Sequence, residues 1–186
     1  MYKVDKTLGK FTLYKNAPAH LFIDYAYYII TAHTMMNIRP FKDDDRKQFL
    51  LDSIILNFVE RNNWQLLAYF IGDNHYHILL KSSKESQILP KIIGDIHRFT
   101  SLTINKKDNA IGRQIWHQYW DTVITSQSSL YARFNYIHYN PVKHGYVQKS
   151  EDYEFCSFKK YYEQDKVSTE NITKKYPFDR IKVDEP

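Results

Sequence analysis

Residues 64–81 read WQLLAYFIGDNHYHILLK, and this stretch decides the fold. Apolar and aromatic residues fill two runs, 64–71 and 75–81. Gly72-Asp73-Asn74 between them has the composition of a tight turn, so two consecutive strands are expected. Upstream, residues 21–34 (LFIDYAYYIITAHT) are rich in β-branched and aromatic side chains and read as a strand covered on both faces. Between these regions, Asp43-Asp44-Asp45 offers a helix cap and first-turn carboxylates. Phe49, Leu50, Ile54, Ile55 and Phe58 follow at helical spacing, and Asn62-Asn63 closes the helix. Downstream, a second helix is expected over 86–105, with Leu89, Ile92, Ile93, Ile96, Phe99 and Leu102 as its apolar stripe. Residues 106–113 read as a basic loop and 115–125 as a bend and a short strand. Ser128-Ser129 can cap a third helix, which should stop near Asn140 because a residue preceding proline is pushed out of the α region. The order β-α-β-β-α-β-α implies an α+β sandwich, with helices laid on one face of a mostly antiparallel sheet.

The organisation expected is an arm over 1–20, a body over 21–150, and a peripheral helix around 158–164 with a loosely structured end in 151–186. A chain of 186 residues with 43% hydrophobic and 25% charged residues has the composition of one globular domain. Its single cysteine, Cys156, excludes an internal disulfide and a Cys-based zinc site, and reads as a small buried hydrophobe. No run approaches the roughly 18 apolar residues of a membrane span, and the first residues lack the apolar segment of a signal peptide, so a cytoplasmic protein with no membrane partner is expected. The net charge of +5 is unevenly spread: residues from 149 onward carry eight basic and nine acidic groups, so the excess lies in the body. With 16 Tyr, 11 Phe and 3 Trp, such a surface suits single-stranded nucleic acid, where cations track phosphates and rings stack on bases. The same composition would also arise from an AT-rich genome alone.

His75 and His77 lie within a strand pattern at i and i+2, so both imidazoles project from one face and Tyr76 from the other. They form either a half-site for a divalent metal or a pair of packing histidines. Tyr136 and Asn140 are four residues apart at the end of the third helix and share a face. The amide oxygen of Asn140 is a hard ligand that could complete a His-His-Asn site for Mg²⁺ or Mn²⁺. Tyr136 would then stand one turn back, placed to attack what the ion polarises. Tyr139 is the rival nucleophile, turned away from the ligand by its offset from Asn140.

The pair His75-Tyr76-His77, followed by the run YIHYNPVKHGYV over 136–147, resembles the HUH-type single-tyrosine transposases, above all the REP-associated tyrosine transposases. Every fixed position of their Y-I-x-x-N-P-V-x-x-G-x-V signature is matched, and the likeness extends over about 20–160. Tyr76 departs from the family's aliphatic preference. The resemblance implies a ferredoxin-like fold, with the His pair on a sheet strand and the tyrosine on a nearby helix. It implies cleavage and rejoining of single-stranded or hairpin DNA through a 5′-phosphotyrosine on Tyr136, with the ion held by His75, His77 and Asn140. Such enzymes occur as monomers and as homodimers, and no heptad or symmetric seam in this sequence decides between them.

His97, Arg98, Lys106, Lys107, Arg113 and Lys143 with His144 are the candidates for phosphate contacts, each weighed against a solvated surface charge. Trp116, Tyr119 and Trp120 are candidates to stack on bases, with core packing competing for Trp116. His138 reads as a packing residue in preference to a DNA contact, and Asp121 as a group ordering a ligand or a loop. Two other functions remain compatible with these residues: a domesticated homologue that does not mobilise an element, and a non-catalytic single-strand-binding module.

Overall fold

A computed structural model describes residues 10–12 and 20–178. Strands β1 (Lys10–Thr12) and β2 (His20–Phe22) form a small antiparallel ribbon, so the rest of the expected arm, 1–9 and 13–19, lies outside the described residues. Then come β3 (Tyr27–Thr34), α1 (Asp44–Ile54), β4 (Gln65–Ile71), β5 (His75–Lys81), α2 (Leu89–Lys107), β6 (Trp116–Ile124), α3 (Gln127–Lys143), α4 (Phe158–Gln164) and α5 (Lys166–Lys175). Strands β3 to β6 make one antiparallel sheet in the order β4-β5-β3-β6, which is the α+β, ferredoxin-like arrangement expected.

The central strands β3 and β5 are buried almost throughout. Alternation splits β5 into two faces. Tyr76, Ile78 and Leu80 face α2, where the Tyr76 hydroxyl is hydrogen-bonded to His97 Nε2 at 3.0 Å. His75, His77 and Leu79 face the opposite way, and His77 meets Tyr136 of α3 there. Helices therefore cover both faces, not the single face expected, with α1 beside α2 on one and α3 against β4 and β5 on the other. The main core lies on the α2 side, where Tyr28, Leu50, Ile54, Phe58, Trp64, Ile78 and Leu80 are essentially inaccessible.

Four further expectations are corrected. Residues 21–34 form two strands, separated by a turn at Asp24-Tyr25 in which Tyr25 has φ +58°. Asp24 Oδ1 fixes that turn by accepting from the Ser86 amide (2.9 Å) and hydroxyl (2.7 Å). On α2 the core row is Ile92, Ile96, Thr100 and Ile104, while Phe99 and Leu102 are 50% and 62% exposed. An i, i+4 row drifts slowly round the helix and carries the stripe away from residues 99 and 102. The end of the chain, expected to be loose, contains α5, capped by Asp165 and tied to α3 through Asn135 Nδ2, which donates to the Ile172 (3.0 Å) and Tyr176 (2.7 Å) carbonyls.

The fourth correction bears on the site. Helix α3 is capped by Ser126 rather than by Ser128-Ser129, and it continues through Pro141 to Lys143. A proline removes the N–H that would bond the carbonyl four residues back. Here that carbonyl, on Ile137, instead receives the buried Cys156 thiol at 4.0 Å. Burial pushes this thiol's pKa up to about 12, so it stays protonated and able to donate. The helix closes with Tyr146 N bonding Pro141 O (2.9 Å) and Gly145 N bonding Val142 O (3.0 Å), a double closure that requires the left-handed φ of +71° at Gly145. Gly145→Ala is expected to destabilise the protein by about 1 kcal/mol, as a methyl group at positive φ does. Nothing lies within 4 Å of the added carbon, so the cost is conformational, and denaturant unfolding measures it. An unchanged midpoint would show that the closure does not set the end of α3.

Candidate active site

The strand–helix interface between β5 and α3 brings together side chains from four segments. His77 is fully buried, and its ring lies 5.3 Å from that of Tyr136, edge on. His75 packs 5.2 Å from His77. Register places His33 of β3 opposite His75, where the two rings stack 5.2 Å apart. His144, the residue at which α3 closes, reaches within 4.6 Å of the His75 ring. The sequence reading missed His33, and took His144 as a phosphate contact beside Lys143 without its place next to His75. His33 alternates with Thr31 on the buried strand, and His144 sits inside the 136–147 signature, but only the strand pairing and helix closure show that they meet His75.

The partners of these rings set their chemistry. His75 Nδ1 donates to Asn74 Oδ1 (2.9 Å), because a carboxamide oxygen only accepts, and this leaves the lone pair on Nε2. His77 Nδ1 is bonded to the Thr31 hydroxyl at 2.8 Å, a bond compatible with the same tautomer. Burial holds His77 well below its ordinary pKa, and the nearby His75, His33, His144 and Lys143 add to that effect, so its imidazole is neutral. Asn140 Nδ2 donates to the Tyr136 carbonyl at 2.7 Å, leaving the amide oxygen for another partner. His77 Nε2 and Asn140 Oδ1 are buried and make no hydrogen bond among the described residues. Buried polar atoms are seldom left this way, and two orphaned lone pairs at one interface fit a cation. No group of three or more His, Cys, Asp or Glu side chains among the described residues is arranged to hold a metal, so the candidate donors are two imidazoles and one amide. That set accepts Mg²⁺, Mn²⁺ or another first-row divalent ion.

Lys143, expected to be a phosphate contact, lies two turns beyond Tyr136 on the same helix face. Its Nζ donates to the Tyr136 hydroxyl at 3.4 Å and sits 5.1 Å from the ring centre. Tyr139 turns the other way and packs on Phe178 at 4.7 Å. Between the two tyrosines, His138 is a core residue: Nε2 is bonded to the Ser157 hydroxyl (2.8 Å), Phe134 lies against the ring, and burial takes its pKa down to about 3.

The other proposed DNA contacts divide. His97 stacks on Trp116 at 4.4 Å and bonds Tyr76. Burial lowers its pKa to about 3, so it has no charge for a phosphate at neutral pH. Tyr76 is thereby explained as His97's partner, on the face away from the His pair. Arg98 is exposed and pairs with Asp95, and Lys106 and Lys107 are exposed at the end of α2, also on the far face. Arg113 is held by Asp108 (2.5 Å) and Asn105 (3.0 Å). Asp121 pairs with His20 and anchors β2 to β6, while burial raises its carboxyl pKa against the opposing effect of that imidazole. Trp120 faces the histidines, 5.9 Å from His33. A cavity of about 390 Å³ opens beside His75, with His33, Arg39, Asn74, His144 and Tyr146 in its walls.

Comparison with known proteins gives this arrangement a setting. A stretch of 45 residues is 42% identical to a Haemophilus influenzae protein that carries the name REP-associated tyrosine transposase; it covers 24% of this chain and 26% of that protein's length. The solved structure of a REP-associated tyrosine transposase bound to a REP hairpin superposes with a TM-score of 0.60, covering 94% of each chain at 17% identity, a likeness of fold. No helix among the described residues is long and apolar enough to cross a membrane. Residues 23–140, running from the turn between β2 and β3 to Asn140, match the IS200-like transposases, and to that family this chain belongs.

Proposed function

We propose that this protein cleaves and rejoins single-stranded or hairpin DNA by transesterification at Tyr136. The observation that carries the reading is the meeting of His77 and Tyr136 across the β5–α3 interface, with the amide of Asn140 one turn along. The Tyr136 hydroxyl attacks the scissile phosphorus, the P–O3′ bond breaks, and the phenolic proton is accounted for on the released 3′-OH. The 5′-phosphate stays on the tyrosine. Because one phosphodiester replaces another, a 3′-OH can later reverse the step and reseal the strand without ATP.

His75 and His77, with Nε2 lone pairs, and Asn140, through its amide oxygen, would hold a divalent ion that supplies Lewis-acid polarisation of the phosphate. Lys143 holds the phenol in position and places a positive charge beside the oxygen that attacks and later leaves. The basic body of the chain supplies the attraction for the strand.

Incubation with labelled hairpin DNA and Mn²⁺ is expected to give a protein–DNA adduct that survives denaturation, and EDTA is expected to abolish it. Binding without any adduct, with or without the ion, would replace this reading with that of a single-strand-binding module.

A further inference from the structure

The cavity beside His75 adjoins a second pocket of about 390 Å³, formed where the segment after β3 meets the end of α2. Arg39 lines both, and Lys42, Arg46 and Arg113 line the second. The two differ in chemistry. The first offers directional polar groups: the Arg39 fork, the amides of Asn37 and Asn74, the Asp73 carboxylate and the Tyr146 hydroxyl. That hydroxyl accepts from the Asp73 amide at 2.9 Å and donates to the Asp73 carboxylate, which also pairs with Lys47 at 3.2 Å. The second is cationic. Asp108 binds both Arg46 (2.6 Å) and Arg113 (2.5 Å), and Asp43 lies 3.3 Å from Arg46. Four cations thus face two carboxylates, and among the described residues none of these ion pairs involves Arg39 or Lys42.

The backbone connecting them is unusual. Met36 and Asn37 are consecutive non-glycine residues at φ +50° and +53°, and Met36 is 90% exposed. The left-handed region costs a residue such as methionine free energy. The corner that results puts Asn37 in the cavity wall.

Resting on the reading of the protein as a DNA strand transferase, we propose that the cavity beside His75 receives one unpaired nucleobase next to the scissile phosphate. Asn37 and Arg39 read its edge, and the neighbouring phosphate lies on Arg39 and Lys42. The strand therefore leaves the reaction centre along the 35–46 segment, past the ends of β3 and β5, and avoids the far-face cations Arg98, Lys106 and Lys107. A base edge needs paired donors and acceptors in a recess, which the first pocket supplies, and a phosphate needs positive charge, which the second supplies.

The test uses the full chain, Mn²⁺ and hairpin DNA with abasic sites stepped one nucleotide at a time around the cleavage point. For wild type, one position is expected to slow adduct formation at least tenfold. In Asn37→Gly, which keeps the left-handed backbone, and in Arg39→Gln, the ratio of intact to abasic rates at that position is expected to fall to near one. Lys42→Gln is expected to weaken binding to every substrate alike and to reduce the salt dependence. Variants that keep the wild-type ratio, or that slow all substrates by the same factor, would overturn the proposal. If wild type forms no adduct, the transferase reading fails separately; equilibrium binding of the same DNA series then tests the subsite, with the same position-specific pattern expected and a flat profile overturning it.

Discussion

Tyr136→Phe is expected to lower covalent adduct formation by about 10⁴-fold or more, the scale seen when a nucleophile is removed from a catalytic set. The substitution deletes one oxygen from a ring that is only 6% exposed. The lost hydrogen bond to Lys143 costs about 1 kcal/mol, so the variant remains folded. Hairpin binding should persist, because the substitution removes no charge. Tyr139→Phe serves as the counterpart: its ring packs on Phe178 and makes no approach to His77, and adduct formation should stay within about threefold of wild type. The reverse outcome, with Tyr139→Phe inactive and Tyr136→Phe active, would move the nucleophile to the other face of α3.

The second large effect concerns the ion. His77→Ala and Asn140→Ala are each expected to weaken Mn²⁺ binding by about a hundredfold or more, at or beyond the upper end of what losing even an outer-shell partner costs. Mn²⁺ titration followed by electron paramagnetic resonance reads this without reference to activity. Thr31→Val should have a smaller effect, about tenfold, because it removes only the hydroxyl that orients His77. If His77→Ala binds Mn²⁺ as wild type does, the orphaned Nε2 is a packing feature and the ion sits elsewhere. Circular dichroism must accompany the measurement, since Asn140→Ala also removes the bond to the Tyr136 carbonyl.

Local pattern carried the sheet well. The strand expected over 75–81 is the strand found, because a tight turn sets its start and its short aromatic and apolar run is buried on both faces. The helix expected around 158–164 also matches. What sequence could not supply was anything fixed by distant partners. The end of α3 was misjudged because the carbonyl that proline leaves without its usual donor, on Ile137, finds one 19 positions further along the chain, on Cys156. His33 joined the site through strand pairing with β5, a contact 42 positions long that no periodicity reports. His97 looked like a surface cation beside Arg98, yet tertiary packing set it on Trp116 and bonded it to Tyr76. Lys143 was legible as a cation near the signature, but not as the group touching Tyr136. The chemistry-bearing residues were thus visible as letters, and beyond the alternation of His75, Tyr76 and His77 their division between the two sheet faces was not.

The most direct measurement is mass spectrometry of the protease-digested adduct formed with hairpin DNA and Mn²⁺, after nuclease trimming of the DNA. The account predicts a peptide spanning residue 136 that carries a 5′-linked nucleotide phosphate on the Tyr136 oxygen. A nucleotide found on Tyr139 or any other side chain, or a 3′-linked phosphate on Tyr136, would contradict it.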